Sequence, residues 1–190
     1  SGREIEYFGK LVEDLLLLSQ VSEPHYSTDT EKIDISEIMT EEVEDQKIRN
    51  RNSDNKIDFK MVSPSQKIEI SGNRVLFLRM LKNVFNNAVS FARQELKVTM
   101  SLLDAHHFEI VIDDDGPGFT DEQIKQFGSR KMSRQIIAQK DSKGGRLSIG
   151  LGSVVIKKIC QLHRGDVSVE NRLNEAGKVI GARVKLRFSL

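Results

Sequence analysis

The sequence predicts an α+β fold, a two-layer sandwich of a mixed β-sheet covered by helices on one face. Three observations carry this. Residues 73–92 place Leu76, Met80, Leu81, Val84, Phe85, Ala88 and Phe91 at helical spacing. Residues 96–103 and 108–113 alternate as two adjacent strands joined by a tight turn at 104–107. A second helical run, 152–163, is followed by strand candidates at 167–171 and 180–189 that close the chain.

The remaining elements follow in order. Residues 4–21 put Ile5, Phe8, Val12, Leu15, Leu16 and Ser19 on one stripe, widened by Leu11 and Leu18, with charges opposite. So apolar a helix needs a cover, either its own domain or a helical bundle with a second chain. Residues 22–32 are polar, contain a proline and read as a linker. Asp34 opens a helix with Ile35, Ile38, Met39 and Val43 on one face. Short strands are expected at 57–61 and 67–70, the second ending at Ser71-Gly72. Thr120 caps a short helix whose acidic first turn suits the helix dipole. Residues 128–149 are rich in Ser, Lys, Arg and Gly and read as a long mobile loop.

The 190 residues suffice for one compact domain and a short appendage. A net charge of +1 gives no global field, so bulk charge offers nucleic acid or an anionic membrane no purchase. The lone cysteine, Cys160, excludes a disulfide framework and fits a buried small hydrophobe in a reducing compartment. No apolar run approaches the ~20 residues that span a bilayer. Ser1-Gly2 reads as an appended dipeptide, and the chain as a cytoplasmic piece of a longer protein, with anchoring of the parent in the inner membrane left open.

Three clusters carry chemistry. Asn83 and Asn87 stand i,i+4 on one helix, so their amides share a face. Such a pair serves either core hydrogen bonding or a hard cation that takes oxygen ligands. Asp113-Asp114-Asp115-Gly116-Pro117-Gly118 follows a strand directly: its glycines allow close backbone approach, and a carboxylate there can accept from an exocyclic amine. Gly150-Leu151-Gly152 opens a helix, where free N–H groups attract an anion. The preceding loop adds Arg130, Lys131, Arg134, Lys140, Lys143 and Arg146.

In this order the clusters describe a nucleotide site, and here the sequence resembles a known family. The superfamily is that of DNA gyrase B, the heat-shock chaperone, MutL and the histidine kinases, and the likeness is most specific to the sensor histidine kinases of bacterial two-component systems. NVFNNAVSF is similar to their N box, DDDGPGF to the G1 box, and GLGSVVIKKICQLHRGDVSVEN to the G2 box and the elements after it. EIEYFGKLVEDLLLLSQV resembles the second helix of the dimerisation and phosphoacceptor stem. The resemblance implies an incomplete stem at 1–22, a linker at 23–32, and an ATP-binding catalytic domain of Bergerat type at 33–190, with a lid at about 128–149.

It further implies ATP and Mg²⁺ as cofactors. Asn87 is the implied Mg²⁺ ligand, Asn83 lies near the phosphates, and both are the catalytic candidates. Asp115 receives the adenine amine, Gly116 and Gly118 shape the pocket, and Phe91 borders the base. Phe127 anchors the lid, Lys131 covers the phosphates, and Gly150, Leu151 and Gly152 face the triphosphate. Ser90 stands where the family often has a phosphate-binding Lys or Arg, and Arg93, one turn along, is the candidate to compensate. Ser148 and Ser153 also depart from the G2 pattern.

The hydrolysing members carry a glutamate where this chain has Asn83, and an amide cannot take a proton from water at neutral pH. This favours phosphoryl transfer to a protein side chain, and the resemblance implies that the acceptor is a histidine of an absent stem helix, then a response-regulator aspartate. None of His25, His106, His107 or His163 fits the acceptor, so the chain alone is expected not to phosphorylate itself. Expected partners are a second copy through the stem helix and a response-regulator receiver domain. The alternatives are a degenerate nucleotide-binding module and a protein serine kinase of the same superfamily.

Overall fold

The structure is a computed structural model that describes residues 2–27, 29–129 and 149–190. Helix α1 (Gly2–Val21) leads into strand β1 (Glu31–Asp34), helix α2 (Ile35–Asn50), strands β2 (Asp58–Val62) and β3 (Glu69–Gly72), and helix α3 (Arg74–Phe91). Then come β4 (Glu95–Leu102), β5 (His107–Asp114), the short α4 (Asp121–Gln126), α5 (Ile149–Leu162), β6 (Gly165–Leu173) and β7 (Val179–Ser189). The main sheet has the order β2-β4-β5-β7-β6, with β2 parallel to β4 and the other neighbours antiparallel. Strands β1 and β3 form a separate antiparallel pair.

Side-chain alternation decides which face of the sheet is covered. Leu96, Val98 and Met100 of β4, Phe108, Ile110 and Ile112 of β5, and Ala182, Val184, Leu186 and Phe188 of β7 all point inward. Helices α2, α3 and α5 close over them with Ile38 and Met39, Phe77 and Phe85, and Ile159 and Cys160. Burial also raises the pKa of the Cys160 thiol, so this side chain packs as a hydrophobe. The opposite face carries a ladder of charge. Arg183 grips Asp113 with two bonds of 2.7 and 3.0 Å, Lys185 meets Glu170 at 2.8 Å, and Arg187 pairs with Glu109. Opposite charges set across β5 and β7 let this face meet water without an apolar cover.

Local chemistry explains the helix starts. Asp34 accepts from the Glu37 N–H at 3.1 Å and Asn73 from the Leu76 N–H at 2.9 Å, each a side-chain N-cap. Thr120 and Gln123 form a reciprocal capping box.

Three expectations change. The segment at 23–32 is not linker to its end, because β1 begins at Glu31 and pairs with β3. With Ile33 its one buried apolar residue, β1 has no alternation to read and depends on its partner. Helix α5 starts at Ile149 rather than at residue 152, so Gly150-Leu151-Gly152 opens it as expected but within its first turn, where the Ser153 hydroxyl donates to the Gly150 carbonyl at 2.8 Å. Helix α1 does pack on its own domain, but with another face than its apolar stripe. Asp14 and Val21 are buried and Leu17 and Leu18 pack on the core, whereas Ile5, Phe8 and Leu16 remain 74%, 68% and 66% exposed.

His163 joins α5 to the start of α3. With its proton on Nδ1 it donates to the Ile159 carbonyl at 2.8 Å, while Nε2 accepts from the Asn73 N–H at 3.0 Å. Burial lowers its pKa below the ordinary value of 6.5, outweighing the backbone bonds. As pH falls below 6.5 the unfolded chain therefore takes up this proton before the folded one. The stability held above that pH is lost on the way down to the folded value. Thermal midpoints measured from pH 7.5 to 5.5 should fall more steeply for the parent than for His163→Gln; parallel slopes would rule out this linkage.

Candidate functional site

The site lies where the middle of α3 faces the first turn of α5. Burying Leu76, Phe77, Met80, Leu81, Val84 and Phe85 fixes the rotation of α3 about its axis. That rotation aims Asn83 and Asn87 sideways at α5. Asn83, Asn86, Asn87, Ser90, Gly152, Ser153, Ile156 and Lys10 line a small cavity of about 50 Å³. It has room for roughly three or four waters, the size of a cation with part of its shell or of one phosphoryl group.

Two polar atoms here are buried with no hydrogen-bond partner, Nδ2 of Asn83 and Oδ1 of Asn87. Such an atom costs about 1–3 kcal/mol, so a pair on one face of a helix needs a reason. Neighbouring groups do not satisfy them. Asn86 instead accepts from Gln46 at 3.0 Å, and Gln46 also donates to the buried Glu42 at 2.9 Å. Glu42 in turn receives Lys82 at 3.0 Å. That carboxylate is held away from the cavity. Gly152 completes the wall: a Cβ there would meet nothing nearer than the Asn83 side-chain oxygen at 3.8 Å, so internal packing does not demand the glycine. Its bareness leaves space on the cavity side.

These residues fit a hard divalent cation that arrives with phosphates. Asn87 offers an unpartnered carbonyl oxygen. Among the described residues no group of three or more His, Cys, Asp or Glu side chains comes together, so the remaining ligands of such a cation would be phosphate and water.

The turn after β5 is built separately and tightly. Gly116 lies against the C-terminal end of α3, where a Cβ would stand 2.3 Å from the Phe91 carbonyl oxygen. Gly118 has φ +79, a left-handed conformation, and sits under Asn171. Asn171 clamps Phe119, accepting from its N–H at 2.7 Å and donating to its carbonyl at 2.8 Å. Phe127 caps α4 and meets Phe119 edge-on at 6.3 Å. Ser153, far from being a vacancy in the G2 pattern, accepts from the Gly128 N–H at 3.0 Å and so ties the end of α4 to α5.

Two expected residues sit elsewhere than the resemblance implied. The Asp115 carboxylate turns to the α3–β4 connection, taking the Arg93 N–H at 2.7 Å and the Gln94 N–H at 3.0 Å. Burial raises its pKa, and these backbone bonds outweigh that and hold it below the ordinary carboxylate value. Asp115 is a loop fastener. The buried carboxylate at the mouth of the turn is Asp114, 3% exposed, accepting from the Gly116 N–H at 2.9 Å and the Ala182 N–H at 3.3 Å. Strand alternation carried this signal: Phe108, Ile110, Ile112 and Asp114 share the core face, and Asp115 lies beyond the strand. Arg93, past the C-cap Ala92 and exposed, does not line the cavity. Lys10 does, and the sequence reading missed it; its signal was the spacing Lys10, Asp14, Leu17, Leu18, Val21 on the packed face of α1. Lys131, Ser148 and the other basic residues of 130–148 lie outside the described residues.

Comparisons with known proteins give the family. Residues 72–190 match the family described as histidine kinase-, DNA gyrase B- and HSP90-like ATPases. The sensor histidine kinase YvrG of Bacillus subtilis strain 168 is 28% identical over 170 residues, 89% of this chain and 28% of that protein. The chain thus spans under a third of that relative's length. Among solved structures, full-length ShkA in complex with AMPPNP superposes with a TM-score of 0.74 at 19% identity, covering 94% of this chain and 35% of that one. Histidine kinase ThkA in complex with the response regulator protein TrrA gives 0.70 at 19% identity, covering 99% and 48%. At such identities the structural likeness is one of fold. The chain belongs to the histidine kinase-, DNA gyrase B- and HSP90-like ATPase family, as an ATP-binding catalytic domain of the sensor histidine kinase type.

Because Gly116 stands against backbone, Gly116→Ala must displace the end of α3 or the turn. Such overpacking costs about 1–3 kcal/mol. Urea unfolding should show a correspondingly lower midpoint with an unchanged slope.

Proposed function

We propose that this domain binds ATP with Mg²⁺ across α3, the turn after β5 and the first turn of α5, and donates the γ-phosphoryl group to a histidine on a stem helix. The observation that carries this is the buried, unpartnered Oδ1 of Asn87 beside a phosphate-sized cavity walled by Gly152. Asn87 holds the cation and Asn83, one turn earlier, meets the phosphates. Asp114, rather than Asp115, reads the adenine amine, with Gly116, Gly118 and Phe91 shaping its pocket. Phe127 anchors the lid, and Gly150 and Gly152 belong to the phosphate side, whereas Leu151, expected there too, faces a recess between α5 and α1 with Leu15, Leu18 and Val154. The cation, when bound, neutralises phosphate charge as the transferred group leaves.

The chain's own contribution is positioning. Asn83 is an amide that cannot act as base, which favours transfer to a side chain over hydrolysis. Among the chain's histidines, His163 is buried between helix and strand, His106 and His107 lie at the β4–β5 turn, and His25 lies in the α1–β1 connection. The acceptor is a histidine elsewhere, and the onward acceptor a response-regulator aspartate. No helix among the described residues is long and apolar enough to cross a membrane.

Calorimetric titration with ATP tests the reading. Binding by the parent should strengthen with Mg²⁺, Asn87→Ala should lose the Mg²⁺ dependence, and Asp114→Ala should weaken binding at least tenfold. Asp115→Ala should lower the unfolding midpoint yet largely keep affinity. A folded parent that binds no ATP sinks the proposal.

The exposed face of α1 supports a second copy as partner. Ile5, Phe8, Val12, Leu15 and Leu16 form a continuous apolar stripe that the domain leaves uncovered. Sedimentation should give a dimer for the parent and a monomer for Phe8→Glu/Leu16→Glu; a monomeric parent at high concentration would refute α1 pairing.

A further inference from the structure

The cavity beside Asn87 is walled by neutral groups on the α3 and α5 sides: three carboxamides, two hydroxyls, a glycine and Ile156. Its remaining wall is Lys10, which reaches it from α1. Lys10 also lines the adjoining cavity of about 120 Å³ with Glu13, Arg79, Lys82, Asn83 and Asn86, and so stands between the two. The other cations there are committed. Arg79 donates to Asp14 at 2.7 Å and to Glu13 at 3.1 Å, and Lys82 bridges Glu42 at 3.0 Å and Asp45 at 3.3 Å. Asp14, whose charge acts on Lys10, is itself gripped by Arg79 and only 2% exposed.

We propose that Lys10 of α1 is the side chain that neutralises the terminal phosphates of the bound nucleotide. The inference rests on the reading of this cavity as the phosphate end of the site. A triphosphate brings several negative charges into a recess whose fixed walls offer only amides and hydroxyls. Charge-assisted bonds to phosphate are the strong ones, and among the described residues Lys10 is the one cationic side chain lining the recess. The position is held by the stretch of α1 that follows it. The Arg79 pair with Asp14 fixes the helix one turn further on, and Leu17, Leu18 and Val21 anchor its C-terminal end on the core. The consequence is a coupling: nucleotide with a full set of phosphates stabilises α1 in its docked place, and displacement of α1 removes a charge from the site.

Calorimetry on the whole chain tests this with ATP, ADP and adenosine against the parent, Lys10→Gln and Lys10→Arg. The expected result is that Lys10→Gln weakens ATP about tenfold, ADP less, and adenosine not at all, while Lys10→Arg restores most of the affinity. The loss should shrink as salt is raised, as for any partly exposed charge pair. Thermal unfolding without nucleotide should be alike in all three proteins, which separates charge from packing. Unchanged ATP affinity in Lys10→Gln overturns the proposal. Tighter binding overturns it too, since Lys10 would then be a plug. An equal loss for adenosine assigns the residue to the helix contact alone and likewise overturns it. If the parent binds neither ATP nor adenosine, the underlying nucleotide site has failed instead.

Discussion

Everything at the site depends on how α3 is rolled against the sheet. Six large apolar side chains on this helix, from Leu76 to Phe85, are buried. Their removal from water is worth on the order of 10 kcal/mol together. Two imperfectly satisfied amides cost about 1–3 kcal/mol each, so the apolar stripe sets the rotation and Asn83 and Asn87 must accept it. The same rotation puts the carbonyl of Phe91 against the turn after β5, where Gly116 alone leaves room. One packing decision thus sets both the paired amides and the turn after β5.

The turn itself is rigid for a loop. Asp114 and Asp115 fasten it from below and from the side, Asn171 clamps Phe119, and the Thr120 box begins α4 directly after it. Fixed donors and acceptors lower the ordering cost of binding a planar base. By contrast, the face of the sheet away from the helices is a ladder of opposite charges that closes the fold without recruiting a layer.

Helix α1 is two-sided. One side is fastened to the domain by Arg79 and by Leu17, Leu18 and Val21, and carries Lys10 to the cavity; the other is apolar and open. A helix with both a site-facing and an outward apolar face is placed to join nucleotide occupancy to whatever covers that outer stripe. The physical basis is simple: a single helix cannot satisfy both faces by packing on one domain.

Much of this was legible in the residues. Period 3.6 over 73–92 and period 2 over β4, β5 and β7 specify helix, strands and layer order, because burial acts on every turn of those elements. Asn83, Asn87 and the glycines after β5 were legible too, as polar and bare residues set into apolar patterns. The lone buried apolar residue of β1 could not announce a strand, since its stability comes from β3, distant in sequence. Asp114 and Asp115 differ by one position, and only the end of β5 decided which carboxylate turns inward and which reaches the N–H groups of Arg93 and Gln94. Lys10 lies more than seventy residues before Asn83 in the chain. The spacing of Lys10 with Asp14, Leu17, Leu18 and Val21 marks a shared face of α1, but that this face meets the cavity was decided by the docking of α1, a contact between two helices distant in the chain.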